Sequence, residues 1–129
     1  MRFNFSREVK FVPEFDGNDK LPESEQFHVM LSPMSVGDCS LVADEFHNQT
    51  NGATEVDATK LNISQIQSMI RQVGDVLPKY VLSVNNLSDS SGPVDIGVIL
   101  SFMPYWPLAN EILAKLVEIS SPKESDVKN

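Results

Sequence analysis

The stretch that decides the fold of this chain is FVPEFDGNDKLPESEQFHVMLSP, residues 11–33, in which two apolar runs flank a long polar loop. In the second run Phe27, Val29 and Leu31 recur at every other position. A period of two is typical of a β-strand that buries one face. Residues 8–12 predict a first strand, and Pro33 ends the second. These signals predict two antiparallel strands.

The predicted hairpin spans about residues 8–33, and its loop is longer than the two to five residues that usually join such strands. The residues of the loop must therefore order it. Gly17 and Asn18 favour a turn. We expect the pair Leu21-Pro22 to help organise the loop, with Leu21 folding back as an apolar anchor.

Helical signals follow the hairpin. Ser35 can cap a helix that has Asp38 at its third position. We expect this helix to fade over His47 to Gly52, and the polar residues 48–59 to form a mobile loop. Asn62, with Gln65 three residues later, has the form of a capping box and predicts the start of the clearest helix.

Apolar residues at intervals of three and four predict which face of that helix is buried. The stripe comprises Ile63, Ile66, Ile70, Val73 and Leu77. Pro78 predicts a kink or restart, after which the apolar pattern continues as helix to about Leu87. Residues 88–93 predict a turn, Asp95 a short capped helix, and Pro107 the first turn of a last helix.

These elements predict an α+β fold, a mostly helical single domain with an N-terminal β-hairpin packed on a helical bundle. The hairpin occupies about residues 8–33 and the helices about 35–120. The domain is expected to cover residues 1–122, and the polar residues 123–129 are expected to form a flexible tail.

Charge and cysteine content limit the classes of partner. The chain has 129 residues, with 10 basic and 18 acidic side chains and a net charge of −8. Such a chain is repelled by phosphate backbones and by anionic membrane surfaces, so neither nucleic acid nor a membrane is expected as partner. Cys39 is the single cysteine. We therefore expect no internal disulfide and a reducing cytoplasm as the compartment.

Candidate catalytic and metal sites have weak support. Cys39, Asp44 and His47 could share one helix region, but their spacing matches no zinc motif. The acidic loop could be taken as a carboxylate pair or a calcium loop, but its spacing departs from the EF-hand pattern, and a solvated loop is preferred; its acids are Glu14, Asp16, Asp19, Glu23 and Glu25. We expect no catalytic residue, no metal and no cofactor.

Four residues between two predicted helices are the candidate partner-binding site, namely Phe102, Met103, Tyr105 and Trp106, here called the aromatic cluster. Aromatic side chains contribute much of the energy of protein interfaces. The preferred interpretation is that they complete the hydrophobic core, and the functional alternative is that they anchor a partner.

Three segments resemble the tail assembly chaperone family of long-tailed bacteriophages. They are EVKFVPEFDGNDKLPESEQFHVMLSPMSVGD (8–38), PKYVLSVNNLSDSSGPVDI (78–96) and LANEILAKLVEISSPKESDVKN (108–129). The resemblance implies a protein without catalytic activity that works in the cytoplasm of the bacterial host. Its expected partners are the tape measure protein, which it would keep from aggregating, and the tail tube protein, which it would help recruit.

Two other functions stay open at this point. The first is a structural virion protein, such as a head–tail connector or a minor tail component. The second is a small metal-dependent hydrolase that uses the acids near Asp16. Self-association of the chain is also left open.

Overall fold

The computed structural model describes residues 6–50 and 62–120, apart from the side chains of 45–50 and of Gln72. The predicted α+β class is confirmed, because a small antiparallel sheet packs against helices that make up most of the described chain. The predictions for the loop after residue 50 and for the tail at 123–129 lie outside the described residues, and so does the first residue of the domain.

The central sheet has three antiparallel strands in the order β1-β2-β3. They are β1 (Val9–Phe11), β2 (His28–Leu31) and β3 (Val81–Asn85). The predicted hairpin is confirmed, with Val9 opposite Leu31 and Phe11 opposite Val29. Phe27, Val29 and Leu31 are buried, as their alternation predicts. Their face of the sheet therefore joins the core.

The strand β3 corrects the prediction that residues 80–87 continue a helix. Pro78 instead lies in the first turn of a four-residue helix, α3 (Leu77–Tyr80), and the chain then becomes extended at Val81. Val84 lies opposite Val29 of β2. A β-branched apolar run suits a strand, but only the free edge of β2 decides that this one pairs. A small hairpin follows, β4 (Ser88–Asp89) with β5 (Gly92–Pro93).

Four longer helical elements pack around the sheet. They are α1 (Val36–Thr50), α2 (Ile63–Val73), α4 (Ile96–Ser101) and α5 (Trp106–Ser120). The helix α1 contacts α2 and α5, and α4 contacts α5. The helix α1 extends to Thr50, which lies within the range His47 to Gly52 over which it is predicted to fade.

Side-chain caps fix the helix starts that the sequence predicts. The Asn62 side chain accepts a hydrogen bond from the Gln65 backbone, and the Gln65 side chain accepts one from the Asn62 backbone, at 2.8 and 2.9 Å. Asp95 accepts from the Val98 N–H at 3.0 Å. Ser35 accepts from the Asp38 N–H at 3.2 Å. All three predicted caps are confirmed.

The start of α1 is also tied to the end of α3. The Tyr80 hydroxyl donates to Asp38 Oδ2 at 2.6 Å, and Lys79 lies 3.6 Å from the same oxygen. The hydrogen bond from Tyr80 is the main reason why the pKa of Asp38 lies below its ordinary value. These contacts hold the start of α1 next to α3, which directly precedes β3.

One hydrophobic core joins the inner face of the sheet to α2, α4 and α5. Leu108, Ile112 and Leu116 of α5 are fully buried in it. On α2 the predicted stripe is wrong at its first position, because the side chain of Ile63 is 64% exposed, whereas Met69 is fully buried. Ile63 is the first residue of the helix.

Candidate partner-binding surface

The aromatic cluster lies at the corner between α4 and α5, where the chain turns through a short 3-10 helix, Met103–Tyr105. Phe102 ends α4 with an extended backbone, at φ −122° and ψ 129°. The side chains of Phe102 and Met103 are 60% and 43% exposed, and Pro104 is also exposed. We call these three residues the corner patch.

Trp106, in contrast, belongs to the core, with 5% of its surface exposed. Its indole nitrogen Nε1 is buried and has no hydrogen-bond partner among the described residues. The structure therefore divides the four predicted residues. Phe102 and Met103 are exposed and can contact a partner. Trp106 packs in the core, and Tyr105 is half-buried.

Tyr105 connects the corner to two other parts of the chain. Its hydroxyl donates a hydrogen bond to Asp89 Oδ2 of β4 at 2.7 Å. Its ring centroid lies 6.1 Å from that of Phe15, which in turn meets Phe27 edge-on at 6.5 Å. The hydrogen bond to Tyr105 lowers the pKa of Asp89, and the same bond raises the pKa of Tyr105. Asp89 is therefore held as a carboxylate beside the corner.

Asn18 orders the loop that carries Phe15. It is buried, and its side-chain amide donates to the carbonyls of Pro13 and Phe27, each at 2.9 Å, while its Oδ1 accepts from the Phe27 N–H at 2.8 Å. The prediction that Asn18 organises the loop is confirmed. The predicted anchor is wrong, because the side chain of Leu21 is 44% exposed.

Glu111 of α5 fastens the same loop to the helix. Its Oε2 accepts a hydrogen bond from the Glu14 N–H at 2.8 Å. The pKa of Glu111 is raised above its ordinary value, chiefly because partial burial removes water from the carboxylate. The hydrogen bond from Glu14 opposes this shift, and the negative charges of Glu14 and Asp19 add to it.

Replacing Glu111 with Gln is expected to change how stability depends on pH. A raised pKa in the folded chain gives stability below the ordinary pKa, and this contribution is lost as pH rises through the folded pKa. The amide oxygen of Gln can still accept from Glu14 but does not titrate. The melting temperature of E111Q minus that of the wild type should therefore rise from about pH 4 to about pH 7.

Thermal melts across that range check this expectation, with E118Q on the same helix as the control. A difference between E111Q and the wild type that stays constant with pH would contradict it.

Asp89 and Glu111 were not singled out from the sequence as parts of this surface. A signal was nevertheless present, because no Lys or Arg occurs from Tyr80 to Ala114. That run of residues without positive charge supplies the corner patch and both of these acids.

The other candidate sites receive no support from geometry. Among the side chains that the structure describes, those of residues 6–44, 62–71 and 73–120, no group of three or more His, Cys, Asp or Glu is placed to hold a metal ion. Cys39 is half-buried and Asp44 is exposed, and the side chain of His47 lies outside the described part. None of the helices within residues 6–50 and 62–120 has the length and hydropathy needed to cross a membrane.

Comparisons with known proteins identify no relative of this chain. No protein-family model matches it, and no curated protein and no solved structure is significantly similar to it.

Proposed function

We propose that this protein is a tail assembly chaperone of a long-tailed bacteriophage, acting in the cytoplasm of the bacterial host. It binds the tape measure protein and helps recruit tail tube subunits, and it acts by binding without catalysis. The observation that carries the proposal is the corner patch, where two neighbouring large apolar side chains face solvent although a complete core lies directly beneath them.

The physical argument is that a chaperone must present apolar surface without aggregating itself. Exposed apolar side chains that are contiguous mark interaction sites more often than scattered ones do. Phe and Met suit a surface that covers varied partner segments, because aromatic rings bring large contact area and methionine adapts its shape. The net charge of −8 keeps such a molecule soluble.

The resemblance of residues 8–38, 78–96 and 108–129 to the chaperone family supports the same proposal. The first segment supplies β1, the ordered loop and β2, and the second supplies α3, β3 and the small hairpin with Asp89. The third supplies most of α5. Phe15 of the first segment and Asp89 of the second both contact Tyr105, and the third segment continues the helix that begins at the corner. The segments that carry the resemblance therefore contribute to the surroundings of the proposed surface.

Co-expression with the tape measure protein of the same phage tests the proposal. We expect the tape measure protein to be insoluble alone and to co-purify with this chain from soluble lysate. Absence of this protein from purified virions, measured by mass spectrometry, is the second expected result. Failure to capture the tape measure protein, together with presence in virions, would instead indicate a structural virion protein.

A matched pair of variants shows whether the corner patch makes the contact. Phe102 and Ile63 are both exposed to a similar extent, at 60% and 64%, but lie on different helical elements. F102S is expected to lower the amount of captured tape measure protein several-fold, whereas I63S should leave it unchanged, since truncating one interface anchor commonly costs about 1 to 2 kcal/mol. Equal effects of the two variants would contradict a role for the corner.

A further inference from the structure

We propose that the corner patch takes a basic amphipathic helix, a segment whose apolar face is flanked by lysine or arginine side chains. The inference rests on the proposed function in treating this corner as the partner-binding surface, and it adds the chemistry of the partner. The main evidence for this inference is the distribution of charged residues in the segments that contact the corner.

The segments that surround the corner contain acids and no bases. From Tyr80 to Ala114 and from Phe11 to Asp19 the chain has no Lys or Arg. The same two segments contain six carboxylates, those of Glu14, Asp16, Asp19, Asp89, Asp95 and Glu111. The corner patch thus belongs to a part of the sequence whose charged side chains are all acidic.

Direct contacts bring these segments together at the corner. The Tyr105 hydroxyl holds Asp89, and the Tyr105 ring lies against Phe15, which precedes Asp16. Glu111 of α5 accepts a hydrogen bond from the N–H of Glu14, the residue before Phe15. The tertiary contacts therefore place Asp89 and the loop that carries Asp16 beside Tyr105, and they place Glu14 beside Glu111.

Four lysines border these segments, namely Lys10, Lys20, Lys79 and Lys115, and the last two interact with other groups of the chain. Lys79 lies 3.6 Å from Asp38. Lys115 lies 3.4 Å from Glu118 and has its Nζ 5.8 Å from the centre of the Phe11 ring. Lys79 and Lys115 are directed to their own partners, and Lys10 and Lys20 lie at the two ends of the first acidic segment. The six carboxylates outnumber those two bases, so the charge near the corner favours a cationic ligand from outside the chain.

A helix fits this surface better than other occupants do. The patch is formed by a helix end and a 3-10 turn, so a ligand must contact it through the ligand's own side chains. An amphipathic helix suits such a contact because it presents apolar anchors on one face. A second copy that docked through the same face would place carboxylates against carboxylates, which is unfavourable. Lysine side chains beside the anchors would instead reach the surrounding acids.

Two synthetic peptides of about 18 residues test the inference. Both carry the same leucine face, and their other positions are lysine in one peptide and glutamate in the other. Fluorescence anisotropy with the full chain should show binding of the lysine peptide only. Its affinity should fall several-fold between about 50 and about 500 mM NaCl, because salt screens exposed charges.

Paired variants locate the binding. The double variant D16N/D19N neutralises two acids of the loop beside the corner, and D44N/D75N makes the same change in net charge on α1 and after α2. The first pair should weaken peptide binding about three- to tenfold, in keeping with the strength of exposed charge pairs. The second pair should change binding less than twofold, and F102S should weaken it strongly.

The outcomes separate this inference from the proposed function. Equal weakening by the two double variants, or equal binding of both peptides, would overturn the inference. If the tape measure protein is still captured in that case, the chaperone function stands and only the partner chemistry is wrong. If the lysine peptide binds as expected but the tape measure protein is not captured, the chaperone function falls and the basic-helix site stands.

Discussion

Replacing Asn18 with Ala is expected to lower the free energy of unfolding by about 3 to 5 kcal/mol, a large part of the stability of a small domain. The side chain of Asn18 is only 3% exposed. Alanine would leave the carbonyls of Pro13 and Phe27 and the N–H of Phe27 without their partner. Each buried polar group that loses its hydrogen bond costs about 1 to 3 kcal/mol.

Urea unfolding followed by circular dichroism measures this loss. N18D is the informative second variant, because its carboxylate can still accept from Phe27 but would face two carbonyl oxygens without a donor. It should also destabilise the chain by more than about 2 kcal/mol. D19N, at the exposed neighbouring position, is the control and should change stability by less than about 0.5 kcal/mol. A small effect of N18A would mean that the loop is not held by this side chain.

Replacing Trp106 with Ala is expected to cost about 3 to 5 kcal/mol of stability, as large-to-small changes in a core do. Trp106 is buried in the same core cluster as Ile99 of α4 and Leu108 of α5, so alanine would open a cavity in that core. F102A, four residues earlier at an exposed position, should change stability by less than about 1 kcal/mol. Trp106 is thus expected to stabilise the fold, whereas Phe102 is expected to contact a partner.

Chemical unfolding of W106A and F102A, combined with capture of the tape measure protein, distinguishes these roles. W106F is a useful third variant, since the Trp106 Nε1 has no hydrogen-bond partner among the described residues and phenylalanine keeps much of the volume. It should retain most of the stability that W106A loses. A stable W106A that fails to capture the partner would place Trp106 at the interface and contradict its assignment to the core.

Local sequence signals predicted the hairpin and the helix starts. The alternation of Phe27, Val29 and Leu31 indicated the strand and its buried face, because a strand exposes every second side chain to the same side. Asn62 and Asp95 indicated helix starts, since a cap is formed by side chain and backbone groups within three residues of each other. Such interactions are complete within a short segment and need no distant partner.

The candidate surface was predicted only in part. The sequence selected Phe102, Met103, Tyr105 and Trp106 together, and it gave no means of deciding which of them would be exposed. The separation follows from the turn at Met103–Tyr105, which directs Trp106 inward while Phe102 stays outside. Exposure depends on what packs against a residue, and that is decided by elements far away in the chain.

The sequence by itself therefore determined the α+β class, the β1–β2 hairpin, the capped helices and the acidic character of the protein. Only the tertiary structure decided that Val81–Asn85 becomes a third strand, because the run is apolar enough for a helix and pairs only once β2 offers an edge. The tertiary structure also placed Asp89 against Tyr105 and Glu111 against the loop. Local periodicity and capping are encoded within a few residues, whereas strand pairing, burial and the gathering of charges depend on contacts across the whole chain.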